Sequence, residues 1–272
     1  MTQLAVSSWS LHNTLGPVYD GAPGEGQPRT LRKPYGEGEC DLLQLPALVA
    51  DLGIERLEVC HFHFASTDSD YLDRFRGVLA SAGVSLSTLL IDEGDPTAED
   101  PAERERQLAL IRGWIDVAAA VGAERVRIVA GDAEAGEDAV GRSVEALRAL
   151  SEYARGRGVQ VITENWHQLA LDPPALLTIL DRLGGQVGLC VDFGNAKGPG
   201  KYDGLASLLP HATTVHAKAA FSAPGVIDEG DFGRCLDLAR KAAFDGDFVV
   251  IFEGPGEERA GVAQIARRIS ES

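Results

Sequence analysis

The sequence predicts a single (β/α)8 barrel, and three observations carry that prediction. Eight short runs rich in Val, Ile and Leu alternate with amphipathic segments along the whole chain. Several helical segments close on a Gly that leads into the next run, at Leu52-Gly53-Ile54, Ala82-Gly83-Val84, Val121-Gly122-Ala123 and Arg157-Gly158-Val159. Gly suits the left-handed position just past a helix end. The runs themselves are almost continuously apolar, as parallel strands buried on both faces must be. A doubly wound sheet would need fewer strands and a Gly-rich first turn, and the segment HNTLGPVYDGAPGEGQPRT lacks G-x-G-x-x-G spacing.

In order, the runs predicted as strands are Leu4–Trp9, Ile54–Cys60, Val84–Ile91, Arg125–Ala130, Val159–Glu164, Val187–Asp192, Thr213–His216 and Phe248–Glu253. Between the third and fourth, Leu108, Ile111, Ile115 and Ala118 recur at helical spacing. Asp100 before Pro101, with Glu103 in the first turn, marks where that helix starts. One segment, about residues 12–40, has no clear period and is too long for an ordinary strand-to-helix connection. It is read either as a lid over the strand C-termini or as a disordered insertion.

Length and composition fit one domain over residues 1–272, because 44% hydrophobic content can fill one large core and no Pro/Gly/Ser linker divides the chain. The balance of 25 Lys and Arg against 41 Asp and Glu, net −16, argues against a nucleic-acid surface. No apolar stretch approaches the roughly 20 residues of a membrane helix. The N-terminus lacks a basic segment followed by an apolar core, so no signal peptide is expected. Cys40, Cys60, Cys190 and Cys235 form no C-x-x-C pair and no disulfide framework. A cytoplasmic protein is expected. Exposed apolar helices leave a homo-oligomer open.

The strongest chemical signal is the residue that closes each of four apolar runs. VQVITE ends at Glu164, VGLCVD at Asp192, ATTVH at His216 and FVVIFE at Glu253. In a closed parallel barrel these are the ends of consecutive strands five to eight, so three carboxylates and an imidazole would ring one side of the mouth. Like charges so close need compensation, and a divalent cation is the natural source. Mixed carboxylate and imidazole ligation without thiolate suits Mn²⁺, Zn²⁺, Co²⁺ or Mg²⁺.

Around them stand further candidates for substrate contact. Lys218, two residues past His216, points into the same mouth if the strand continues. His61 and His63 in CHFHF would share one face of an extended strand two, in contact with substrate or a second metal. His12 follows strand one, Asn195 follows Asp192 by three, and Trp166 offers a flat surface for the C–H face of a sugar.

The runs TENWHQ, VDFGN, VHAK and IFEG, with GVIDEGDFGRCLDLARKAAFDGDFVVIFEG, resemble the xylose-isomerase-like barrel superfamily of sugar and sugar-phosphate isomerases and epimerases. The resemblance spans the barrel and is most specific from about Val159 to Gly254. It implies that Glu164, Asp192, His216 and Glu253 bind one divalent metal, and that Glu164 and Glu253 exchange a proton with a carbohydrate substrate through an enediolate. The expected enzyme is an isomerase or epimerase of a sugar, polyol-derived ketose or keto-inositol. The alternatives are a dehydratase or lyase on the same barrel, an apurinic endonuclease, and a non-catalytic sugar-binding barrel. Ketose 3-epimerases of this superfamily carry a His where Asn195 stands, an Arg at the position of Ser222 and a Glu near Ala170. The match is therefore to the catalytic core rather than to the residues that read the substrate.

Overall fold

The computed structural model describes residues 3–272. Eight parallel strands close into a barrel: β1 Gln3–Ser7, β2 Arg56–Cys60, β3 Ser85–Ile91, β4 Arg125–Ile128, β5 Gln160–Glu164, β6 Gly188–Asp192, β7 Ala212–Lys218 and β8 Asp247–Ile251. Each pairs with the next, and β8 returns onto β1 through Gln3 opposite Asp247. A helix follows every strand: α1 Leu45–Asp51, α2 Ser69–Ala82, α3 Pro101–Val121, α4 Glu137–Arg155, α5 Pro173–Leu183, α6 Lys201–Leu208, α7 Glu229–Lys241 and α8 Glu258–Ser270. This is the (β/α)8 architecture that the alternation predicts.

The local signals act as expected. Asp100 accepts a hydrogen bond from the Ala102 amide at 3.1 Å and so caps α3, with Pro101 as its first residue. The predicted stripe Leu108, Ile111, Ile115 and Ala118 is buried, joined by Trp114 and Val121. Gly122 closes the helix at φ 76°, a conformation that costs other residues strain.

Strand ends differ from the sequence reading by a few residues, and one difference matters. β8 ends at Ile251, so Glu253 lies two residues past the strand. The β7–β8 ladder stops at Lys218 opposite Ile251, after which the Phe252 amide donates to Ser10 Oγ at 2.9 Å and the chain leaves the sheet. β7, in contrast, runs on to Lys218.

The barrel interior is closed at one end and polar at the other. At the strand N-termini, Asp247 Oδ2 is 2.9 Å from Arg56 Nη2 and 3.0 Å from Arg125 Nη1, with Glu124 beside them. Above this ionic floor lie Ala5, Val249 and Ile251, and then the polar groups of the mouth.

The long first connection is an ordered cover. Val18–Asp20 pairs antiparallel with Thr30–Arg32. The guanidinium of Arg29 stacks 4.8 Å from the Trp114 ring and donates to the carbonyls of Tyr19 at 2.6 Å, and of His61 and Phe64 at 3.3 Å. Gly16 and Gly38 cross so closely that a Cβ on Gly16 would sit 2.2 Å from the Gly38 nitrogen. Asp20, Arg32 and Tyr35 of this segment line the cavity at the barrel mouth. All four cysteines are free, and among the described residues no helix is long and apolar enough to cross a membrane.

Candidate active site

Three of the four strand-end residues converge. His216 Nδ1 lies 3.6 Å from Glu164 Oε1 and 3.5 Å from Asp192 Oδ2, and all three side chains are about 95% buried. The register explains the meeting: β6 pairs with β7 so that Asp192 stands level with His216, and β5 pairs with β6 so that Glu164 stands level with Cys190. Residues two apart on a strand share a face, so Cys190 and Asp192 both point inward. Ligand atoms of Glu164, Cys190 and His216 all fall within 4.8 Å of one another.

Each member is oriented by a neighbour. Asp192 Oδ1 accepts from the Gly194 and Asn195 amides at 2.6 and 2.8 Å, and Asn195 Nδ2 donates to Glu164 Oε1 at 2.8 Å. Glu164 Oε2 is 3.0 Å from Arg127 Nε, and the Arg127 guanidinium also pairs with Asp92 and lies 4.8 Å over the Trp166 ring. On its far side His216 Nε2 is 2.9 Å from Oε2 of Glu58, a fully buried carboxylate on β2.

The electrostatics follow from this crowding. Burial alone would keep His216 neutral, but the carboxylates of Glu164, Glu58 and Asp192 outweigh it and raise the imidazole well above the ordinary histidine range. Burial would likewise raise Asp192, yet His216, Lys218 and the Asn195 amide hold it below the ordinary carboxylate value. Burial pushes the Cys190 thiol up to about 11, which keeps it protonated.

These residues fit a divalent cation. One oxygen of Glu164 and one of Asp192 each lie within 3.6 Å of His216 Nδ1, while Glu58 fixes the opposite imidazole nitrogen as the donor, an arrangement common around metal-ligating histidines. Oε2 of Glu164 is turned to Arg127, which leaves Oε1 on the side of His216 Nδ1.

Glu253 stands apart from the cluster. Its side chain is 36% exposed, its Oε2 is 2.6 Å from Lys218 Nζ, and its Oε1 accepts the Trp9 indole N–H. The sequence placed it among four equivalent ligands. Because β8 ends early, it instead faces the same cavity from the rim, tied to a cation and an indole.

A model of the xylose isomerase-like TIM barrel family matches residues 46–271. The chain belongs to this family. Among solved structures, it is similar to a xylose isomerase-like TIM barrel protein from Mycobacterium smegmatis in complex with magnesium, at 17% identity and TM-score 0.69, covering 99% of this chain and 96% of that one. An L-ribulose 3-epimerase matches at 18% identity and TM-score 0.71, covering 100% and 94%. A D-psicose 3-epimerase from Clostridium cellulolyticum H10, solved with D-tagatose, matches at 15% identity and TM-score 0.65, covering 86% and 87%. Identities this low establish a shared xylose isomerase-like fold. No curated protein matches the sequence.

In this xylose isomerase-like barrel the mouth is a cavity of about 600 Å³ that brings together Glu164, Asp192, His216, Glu253, Lys218, Asn195, Trp166 and His61. Two predicted contact residues lie elsewhere. β2 stops at Cys60, and His61–His63 is a single 3-10 turn, so its two imidazoles do not share a strand face. His61 accepts the Asp92 amide at Nδ1, 3.2 Å away, and lines the mouth. His63 instead meets Ser8 Oγ at 2.9 Å and lines a separate cavity with Cys40 and Tyr71. His12 donates from Nδ1 to the Trp9 carbonyl at 2.7 Å and stacks on the Trp9 ring 4.6 Å away, outside the residues that line the mouth. The 3-10 turn Ser8–Leu11 carries it there.

Sequence reasoning missed Glu58, Asp92 and Glu93, and the cover residues Asp20, Arg32 and Tyr35 that line the cavity. Glu58 had a visible signal, a lone carboxylate inside the apolar run RLEVC.

Proposed function

We propose that the protein is a divalent-metal-dependent isomerase or epimerase of a sugar, a polyol-derived ketose or a keto-inositol. The observation that carries this reading is the meeting of Glu164, Asp192 and His216 at the barrel mouth, with a second carboxylate, Glu253, facing the same cavity. Glu164, Asp192 and His216 would hold one ion such as Mn²⁺, Mg²⁺, Co²⁺ or Zn²⁺. When bound, the ion supplies Lewis acidity that polarises a substrate carbonyl and offsets the charge that develops on proton removal.

The protein supplies the proton transfers. Glu253 is held by Lys218 and Trp9 and is the more accessible carboxylate, so it takes the proton from the carbon next to the carbonyl. Glu164, held by Asn195 and Arg127, would deliver a different proton, taken up from solvent, while Glu253 gives its own up to solvent. Delivery to the opposite face of the same carbon inverts that centre. Delivery to the neighbouring carbon, with a proton moved between the two oxygens, isomerises the sugar. Asn195, His61 and Trp166 line the space where hydroxyls and a sugar face would lie.

The charge pattern of the mouth favours an unphosphorylated substrate. Each cation that lines it is already paired, Arg32 with Asp20, Arg127 with Asp92 and Glu164, and Lys218 with Glu253. Asp20, Asp92, Glu93, Glu164, Asp192 and Glu253 would repel a phosphate. Incubation of the metal-loaded protein with a panel of ketoses and keto-inositols, followed by chromatography, tests the reading. It predicts a new epimer or isomer that appears only with the ion. A product lacking the elements of water would place the protein among the dehydratases instead.

A further inference from the structure

An aromatic wall lines part of the mouth. The cavity of about 600 Å³ falls mid-range among sites that enclose drug-sized ligands, roughly 300–1,000 Å³. The three candidate metal-binding side chains, Glu164, Asp192 and His216, come from strands β5 to β7. Trp9, Tyr35 and Phe62 line the cavity from three other segments, the first turn, the cover and the turn after β2. Tyr35 and Phe62 meet Trp9 edge-on, at 5.8 and 6.1 Å between ring centroids. None of the three is fully buried, so their packing leaves aromatic surface facing the space.

We infer that the physiological substrate is a ketose carrying a second ring, whose flat apolar face lies against Trp9, Tyr35 and Phe62 while the carbonyl end lies at Glu164, Asp192 and His216. The inference rests on reading the mouth as a ketose site. Three features support it. The wall is built rather than incidental, since Arg29 pins the cover to the carbonyls of His61 and Phe64 on either side of Phe62. Tyr35 is further held by an edge contact with His12, 4.6 Å away. The cations of the mouth are neutralised in place, so an extended substrate gains affinity from ring contacts rather than from an anionic group. The second ring is either aromatic or another sugar, because both present a flat C–H or π face to an aromatic side chain.

Three probes separate the cases: D-fructose, 6-O-benzyl-D-fructose and 6-O-α-D-glucopyranosyl-D-fructose. All keep a free carbonyl and differ only in the group on O6. Dissociation constants are read from tryptophan fluorescence, and deuterium uptake from D2O is followed by NMR on the same samples with Mn²⁺ present. We expect one or both substituted ketoses to bind about tenfold more tightly than D-fructose, the benzyl arm leading for an aryl partner and the glucosyl arm for a sugar. Tyr35→Ala and Phe62→Ala should bring that ratio down toward one. Equal or weaker binding of both substituted ketoses overturns the inference, as does a ratio unmoved by both variants. Deuterium uptake without discrimination sinks the second ring and leaves the proposed activity standing. Discrimination without uptake in any probe sinks the activity and leaves a two-ring binding site. No binding of any probe overturns both.

Discussion

Glu58 and His216, 158 residues apart in the chain, meet inside the barrel with Oε2 and Nε2 2.9 Å apart. That contact fixes the tautomer. With Nε2–H donated to Glu58, Nδ1 is turned toward Glu164 and Asp192, the orientation that a metal ligand would need. Glu58→Gln keeps the shape and removes the charge behind the ring. Metal affinity, read by calorimetric titration with Mn²⁺, should fall about 10- to 100-fold while the circular dichroism spectrum is retained.

The raised His216 imidazole makes metal binding a proton exchange. Without the ion, its surroundings keep it protonated at neutral pH. A cation at Nδ1 must displace that proton, so binding near pH 7 should release about one proton per ion, and affinity should rise with pH across the neutral range. Titrations in buffers of different ionisation enthalpy measure the release directly. A His216→Gln variant should bind the ion more weakly and release none.

Lys218 and Glu253 form a second unit at the rim. Lys218→Met leaves Glu253 with only the Trp9 indole to orient it. Proton exchange into a ketose should drop by about 10²-fold, within the range of a misplaced general base. Metal affinity should change by less than about threefold, because Glu164, Asp192 and His216 stay in place. A large loss of metal in this variant would return Glu253 to the ligand set.

His63 is the clearest acid-sensitive group outside the mouth. Burial lowers its imidazole to about 3, against about 6.5 in an unfolded chain. The unfolded state therefore binds an extra proton below about pH 6.5, and this residue costs stability progressively as pH falls from about 6.5 toward 3, with no effect above. His63→Gln can keep the bond to Ser8 and does not titrate. Between pH 6 and 4 its unfolding free energy, from urea titration, should fall less steeply than that of the parent, by up to ~1.4 kcal/mol per pH unit.

What was legible in the sequence was whatever depends on local pattern. The eight strands and the α3 cap at Asp100 follow from periodicity and end signals. Glu164 and Asp192 are legible because each closes its strand, and His216 because it is the lone imidazole in the run ATTVH, although β7 continues to Lys218. FVVIFE continues as an apolar run past the point where β8 loses its partners, so only the ladder shows that Glu253 lies beyond the strand. His61 and His63 misled for a related reason: a tight turn replaced the assumed strand, and with it the period of two. Glu58 and Arg127 act through partners 158 and 37 residues away, and no single-chain pattern encodes such meetings.

The central claim is that this mouth moves a proton next to a carbonyl with the help of one divalent ion. The most direct measurement is deuterium incorporation from D2O into a bound ketose, by protein stripped of metal and then reloaded with one equivalent of Mn²⁺. The account predicts exchange at a single carbon beside the carbonyl, absent before reloading and absent in Glu253→Gln. Metal bound at one ion per chain without exchange in any ketose of the panel would contradict it.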